Sequence, residues 1–297
     1  MEKVSILHLI TAASNASPFD VNMAFDAGFD KVMPYTSVSL DEISALTQDA
    51  IFSRSPSGVK REAIFFGGRN VGLAVDMQNA AKAAMLAPFA VSTMTDPSGS
   101  FTTSGALLAK ISQHLAPSHD ALAKQSIAIF GASGTVGSTS ALIAAAQGAT
   151  VKLVAHASLS EMQSHADKLQ KKYGYTFEVV DGASDAAKMS VLNSVTVAIT
   201  AAPVGVRVLE MKHYIESQSL KVMADVNAVS PAGIEGVDAQ CDGAKLGKTD
   251  IVGVGALAIG QLKYVTQQKL LQQMLQGDKP VHLDYNHAFN IACVHSQ

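Results

Sequence analysis

Tryptophan is absent from this chain, and cysteine occurs only twice, as Cys241 and Cys293. Two cysteines cannot make a disulfide framework, and without a Cys-x-x-Cys pair they give neither a redox motif nor a zinc site. Charge is sparse as well. Charged residues are 16% of the chain and the net charge is −3, so there is no basic footprint for nucleic acid or an anionic membrane. No apolar run reaches spanning length, and the opening MEKVSILHLITAASN lacks the apolar core and cleavage site of a secretory signal. His156, His165 and His213 are scattered, and His282 and His287 fall near the C-terminal end; no metal centre is expected from such spacing. A GxSxG elbow is missing too, which argues against a hydrolase. These absences point to a reduced, cytoplasmic globule with a small-molecule partner.

What is present centres on Ser126–Gly148, SIAIFGASGTVGSTSALIAAAQG. A short apolar strand, Ile127–Phe130, enters a glycine turn at Gly131, Gly134 and Gly137, which opens a helix of small residues. A turn without Cβ atoms lets a phosphate approach the backbone, and the N–H groups and dipole of the helix start then hold its charge. The spacing is GxxGxxG, with Ala132 where the stricter motif has glycine. The strand before it and the helix after it make the turn a dinucleotide site. Gly131, Ser133, Gly134, Thr135, Val136 and Gly137 are the expected cradle.

With 297 residues and 48% hydrophobic content, the chain has room for two domains. Strand-like runs at Val4–Ile10, Lys31–Val38, Ala63–Phe66 and Phe89–Thr95 alternate with helices that start near Ser17, at the Ser39–Glu42 capping box, near Asn70 and at Thr102. Further strands are expected at Thr150–Ala155, Thr176–Val180, Val195–Thr200 and Lys221–Val226, with terminal helices over Gly260–Gln276 and Asp284–Val294. This alternation predicts an α/β protein with parallel sheets: an N-terminal parallel domain and a Rossmann-type doubly wound one. The best boundary is Ala116–Asp120. It gives a first domain over 1–118, to which helices in 264–297 return, and a dinucleotide domain over 119–263. In parallel sheets ligands bind outside the carboxyl ends of strands. The loops Thr11–Ser17, Gly67–Asn70, Asp96–Thr103, Gly131–Gly137, His156–Ser160, Thr200–Gly205 and Asn227–Gly236 follow such ends, and a cleft between the two sheets is the expected active site.

NAD-selective folds carry an acidic residue at the end of the second strand of the dinucleotide sheet. Here that place falls on His156 or Ala157, so no carboxylate repels a 2′-phosphate. His156, Ser158 and Ser160 can hydrogen-bond one, yet no arginine clamps it. Use of both NADP and NAD is the expectation. Thr200, Ala201, Ala202 and Pro203 end one strand with small residues past which a ribose or pyrophosphate can run. Asp225 and Asn227 end the next, where a nicotinamide amide needs partners, and Gly253 and Gly255 permit a close approach.

SPFDVNMAFDAGF (Ser17–Phe29), LTQDAIFSR (Leu46–Arg54), FFGGRN (Phe65–Asn70), DPSGSFTT (Asp96–Thr103), DVNAVSPAGIEGVD (Asp225–Asp238) and GVGALAIGQLKYVTQ (Gly253–Gln267) together resemble the bacterial NAD(P)-dependent methylene-tetrahydromethanopterin dehydrogenases of methylotrophs, the type that accepts both cofactors. The resemblance runs through nearly the whole chain in order. It implies a pterin-binding N-terminal domain, a homo-oligomer (a trimer or a hexamer), and reversible oxidation of methylene- to methenyl-tetrahydromethanopterin in the oxidation of formaldehyde to CO2.

Hydride loss from a methylene carbon between two nitrogens leaves an amidinium-like cation. Such chemistry asks for alignment and a nearby carboxylate rather than a base. Asp20 and Asp96 stand at loop–helix junctions suited to that task, although Ser17 and Asp20 also fit a capping box and Asp96 before Pro97 also fits a turn. Gly99, Ser100, Thr102 and Thr103 offer hydroxyl and N–H groups for the pterin edge. Lys263, in the GQLKY segment, is the expected lysine contact. Two other readings remain open: a methylene-tetrahydrofolate dehydrogenase of the same design, and a regulatory protein that senses NADP(H) without catalysis.

Overall fold

The computed structural model describes residues 4–115, 120–277 and 279–296. In chain order come β1 (Ile6–Ile10), α1 (Pro18–Asp26), β2 (Lys31–Tyr35), α2 (Ile43–Phe52), α3 (Pro56–Val59), β3 (Glu62–Phe66), α4 (Val71–Ala84), β4 (Ser92–Thr95) and α5 (Ser100–Leu115). They are followed by β5 (Ser126–Phe130), α6 (Thr135–Ala146), β6 (Thr150–Ala155), α7 (Leu159–Tyr173), β7 (Glu178–Asp181), α8 (Asp185–Leu192), β8 (Val197–Thr200) and β9 (Val222–Asp225). The chain closes with β10 (Asp242–Lys245), β11 (Val252–Val254), α9 (Ala256–Gln276), β12 (His282–Leu283) and α10 (Tyr285–His295). Two compact units result: Met1–Thr102 with Tyr264–Ile291, and Thr103–Lys263 with Ala292–Gln297. The divisions fall inside α5, α9 and α10, and of the expected boundary Ala116–Asp120, residues 116–119 lie outside the described residues.

The first unit holds a sheet of order β12-β4-β3-β1-β2 with every pairing parallel. Side chains alternate across it as the pleat demands. Leu7, Leu9, Ala63, Phe65 and Met94 join Met23, Phe101, Leu270 and Met274 in one core. On the opposite face Ile10, Ile64 and Phe66 pack with Ile43, Ile51 and Met77. Central β3 is buried along its whole length.

The second unit's sheet has the order β10-β11-β9-β8-β5-β6-β7. Read from β7 and numbered from β5, this is 3-2-1-4-5-7-6; with antiparallel β10 set aside, the six parallel strands take the 3-2-1-4-5-6 order of a dinucleotide fold. The strand order reverses between β5 and β8, the place where such folds bind their ligand.

Local chemistry explains where the elements start. Ser17 caps α1 by accepting from Asp20 N, and at Ser39 the backbone N–H donates to Glu42 Oε2 at 2.7 Å. Strand β4 begins at Ser92 rather than at Phe89, because Leu86 and Phe89 bond each other around Pro88 in a tight turn. Helix α9 starts at Ala256, four residues ahead of the expected Gly260. Strands β10, β11 and β12 were not expected; they are short, and two of them contain glycine. Among the described residues no helix is long and apolar enough to cross a membrane.

Candidate functional site

In the second unit the β5–α6 turn assigns a separate task to each glycine. Gly131 has φ +79°, and a Cβ there would stand 2.5 Å from the Ala201 carbonyl oxygen on the neighbouring β8 loop. Gly137 is packed against the Gly131 carbonyl, where no Cβ fits. Gly134 is different: exposed, it caps α6 in extended conformation, and a Cβ would meet nothing closer than Gly131 O at 3.4 Å. Its outward face is open to a phosphate. The first amides of α6 at Thr135 and Val136 have no intrahelical acceptor, so the turn fits a dinucleotide pyrophosphate. Behind it, Ser138 Oγ donates to Ala132 O at 2.9 Å and stands 2.9 Å from His165 Nε2 of α7. Burial pushes the His165 ring below the ordinary imidazole range, against a backbone contact with Ala132. The Ser138 proton goes to the carbonyl, so the neutral ring donates through Nε2. Neither residue was singled out from sequence, since their meeting depends on how α7 crosses α6.

At the end of β6, His156 and Ala157 are exposed, and Ser158 caps α7 by accepting from Glu161 N at 3.2 Å. Beyond β8, Ala201 and Ala202 are half-buried and Pro203 is exposed. Thr200 and Asp225, by contrast, face each other. Asp225 is 2% exposed. Its Oδ1 accepts from Thr200 Oγ1 at 2.8 Å and from Asn227 N at 3.0 Å, while Oδ2 accepts from the backbone of Gly233 and Ile234. The Gly233 carbonyl in turn accepts from Val208 and Leu209. One carboxylate therefore ties together the loops that follow β8 and β9. Asn227 also works inside its loop, donating to Pro231 O and accepting from Val229 N. These loops enclose a cavity of about 440 Å³ lined by Arg207, Asn227, Val229, Ser230, Asp238 and others. Arg207, whose Nε donates to Ala232 O, and the exposed Val204 and Val229 are residues that the sequence did not flag. Gly255 is packed so closely on the Asp238 and Ala239 carbonyls that a Cβ would overlap them.

In the first unit the carboxyl ends of β1, β3 and β4 bring a second set together. Asp20 is 5% exposed, and its Oδ1 accepts from Gln267 Nε2 of α9 at 2.9 Å. A Cβ at Gly67 would lie 3.8 Å from Asp20 Oδ2, which puts the carboxylate beside the β3 loop. Ser17 is half-buried at the α1 start. Lys263, half-buried on α9, falls in the second unit, the last residue before the division in that helix. Gly67, Gly68, Arg69 and Asn70 line a cavity of about 210 Å³ with Ala12, Ala13 and the first turns of α4.

The β4 loop departs from expectation. Asp96 has no exposed surface; it accepts from Phe101 N at 2.8 Å, Thr102 N at 3.2 Å and Thr102 Oγ1 at 2.6 Å. Gly99, Ser100 and Thr102 are buried with it, and Thr103 is half-buried. A carboxylate with those neighbours organises the start of α5 rather than facing a ligand. The exposed residue of the loop is Ser98, at φ +55°, whose Oγ donates to Gly68 O. Among the described residues no group of His, Cys, Asp and Glu can hold a metal.

The family model described as "Methylene-tetrahydromethanopterin dehydrogenase, N-terminal" matches residues 18–98. The chain is similar to the NAD(P)-dependent methylenetetrahydromethanopterin dehydrogenase of Methylorubrum extorquens, 40% identical over 290 residues that cover 97% of each chain. It is also similar to "Bifunctional protein MdtA" of that organism, 29% identical over 265 residues, 89% of this chain and 90% of the relative. Among solved structures, shikimate 5-dehydrogenase from Listeria monocytogenes aligns over 97% of this chain and 96% of its own, at 15% identity and a TM-score of 0.49.

Proposed function

The chain belongs to the NAD(P)-dependent methylenetetrahydromethanopterin dehydrogenases, and we propose that it catalyses reversible hydride transfer from methylene-tetrahydromethanopterin to NADP or NAD, giving the methenyl form. The observation that carries this reading is the 40% identity across 97% of both chains. The glycine turn at the reversal point of the second sheet supports the nucleotide half. In this reading the first unit takes the pterin and the second the dinucleotide.

The bound nicotinamide supplies the hydride acceptor; the chain supplies orientation and field. Gly131, Ser133, Gly134, Thr135, Val136 and Gly137 hold the pyrophosphate. His156, Ala157 and Ser158 meet the adenosine ribose with or without its phosphate. Ala201, Ala202, Pro203 and Asn227 border the nicotinamide end, and Gly255 lets the backbone pack closely beside it. Thr200 and Asp225 act through the loops they join. On the pterin side, hydride loss builds positive charge over an N–C–N group. A buried carboxylate at a fixed place stabilises that charge most effectively. Asp20, fixed by Gln267, has that character, with Ser17 and Lys263 as further substrate contacts. Asp96, Gly99, Ser100, Thr102 and Thr103 set the α5 start that the substrate meets. The same proposal includes a homo-oligomer, a trimer or a hexamer, in the cytoplasm.

The test is to mix the protein with methylene-tetrahydromethanopterin and follow NADPH or NADH formation by absorbance, with methylene-tetrahydrofolate in parallel. Reduction with the methanopterin alone is the expected outcome. Turnover of the folate alone would make this a folate enzyme, and tight NADP binding without turnover of either pterin would leave a sensor.

A further inference from the structure

Helix α7 turns Met162, Ala166 and Leu169 inward, all three buried. His165 stands in the same stripe, three residues after Met162 and four before Leu169. An apolar side chain would pack there without a partner. The imidazole needs one, and finds Ser138 Oγ at 2.9 Å. Ser138 is 6% exposed, and its hydroxyl is itself set in an uncommon way. A helical serine ordinarily turns its hydroxyl back to the carbonyl four residues earlier. In α6 the Ser138 N–H takes that carbonyl, Gly134 O, at 2.9 Å, and the hydroxyl proton goes outside the helix to Ala132 O.

Both groups address the Ala132 carbonyl. A carbonyl can only accept, so the one Ser138 proton is spent on it and His165 is the donor to Ser138 through Nε2. The ring also has the Ala132 backbone as a contact. The Ala132–Ser133 peptide is trans, and in a trans peptide the carbonyl oxygen and the amide hydrogen point to opposite sides. A carbonyl held inward by Ser138 and His165 therefore aims the Ser133 N–H outward. Ala132 has no exposed surface, whereas Ser133 and Gly134 are exposed, so that amide faces the open side of the turn. The glycines make room there; His165 and Ser138 set the direction.

We propose that His165 is a positioning residue for the dinucleotide: through Ser138 and the Ala132–Ser133 peptide it fixes the Ser133 amide as a donor to the pyrophosphate, a role that rests on the dinucleotide reading of the turn. An amide already aimed at its acceptor loses no freedom when the ligand arrives, and the gain appears as affinity. NADP and NAD share the pyrophosphate, so both lose affinity alike when His165 is removed. A group acting at the 2′-phosphate would separate them.

Equilibrium titrations of the full chain with NADPH and NADH, read by nicotinamide fluorescence, test it beside initial rates. His165→Leu should weaken both dinucleotides by about three- to tenfold, the worth of one net hydrogen bond, with kcat at saturating NADP unchanged. His165→Gln places an amide N–H as far from Cβ as imidazole Nε2 and should bind to within about twofold of the parent. His165→Asn, polar but too short to reach Ser138, should behave as His165→Leu does; loss of structure alone would not distinguish the two amides. Melting curves verify the fold of each variant. A parent that binds neither dinucleotide would overturn the reading of the turn itself. Parent-like binding by His165→Leu and His165→Asn, a His165→Gln variant as weak as His165→Asn, or a loss confined to NADPH would overturn the role of His165 alone.

Discussion

Buried polar side chains next to the dinucleotide turn work through their neighbours, and a single hydroxyl shows how much. Ser138 holds the Ala132 carbonyl on one side and the His165 ring on the other. Removing it frees the turn without touching a ligand. Ser138→Ala should raise the Michaelis constant for NADP by about three- to tenfold, the worth of one net hydrogen bond near 1 kcal/mol. Initial-rate kinetics should show kcat nearly unchanged. At this scale the sequence was legible in kind more than in role. Asp96 and Asp225 stand out because each ends a strand, and both are indeed central to their loops. Yet each accepts from backbone N–H groups and from a threonine hydroxyl. Spacing along a chain does not reveal whether a carboxylate turns outward to a ligand or inward to the loop that carries it. His165 and Arg207 were illegible for a related reason: each acquires its role from a partner distant in sequence.

Two helices show what a glycine means when its surroundings are known. In α6, a Cβ at Gly137 would collide with the Gly131 carbonyl, part of the turn itself. In α9, Gly260 is exposed and has nothing within 4 Å of the place its Cβ would take. Gly137→Ala should therefore cost about 1–3 kcal/mol through overpacking and abolish NADP binding. Gly260→Ala should stabilise the protein by up to about 1 kcal/mol through helix propensity. Thermal melts of both variants, with NADP titrated into each, check the opposite signs. Elements were the most legible level, because apolar alternation and caps are local: β5, β6 and the capped start of α1 fall where the pattern puts them, whereas the Ser39–Glu42 box caps a 3-10 turn that precedes α2. The three-residue β11 and two-residue β12 were invisible, since neither has enough residues to express a period; both exist only by pairing with a strand made elsewhere.

Over the whole molecule, acid stability depends on ion pairs between elements. Asp185 at the start of α8 meets Lys212 at 2.8 Å and His213 at 2.9 Å. The hydrogen bond from Lys212, then that from His213, holds its carboxyl down to about 2, below its ordinary 3.8. A value lowered by folding stabilises the native state fully above the unfolded value, and that contribution is lost as pH falls through the folded one. Urea midpoints should therefore drop between pH 3.8 and about 2, and Asp185→Asn should flatten that part of the profile while leaving the shape near neutrality alone. The first sheet has a different consequence, in time rather than in energy. Its β4 edge is covered by β12, and Thr93 Oγ1 meets His282 Nδ1 across 189 residues of sequence. Strands β5 to β11 all leave the ribosome in between, so the second sheet has its full set of strands while the first still exposes an unpaired edge. The sheet that is begun first is the last to receive its final strand.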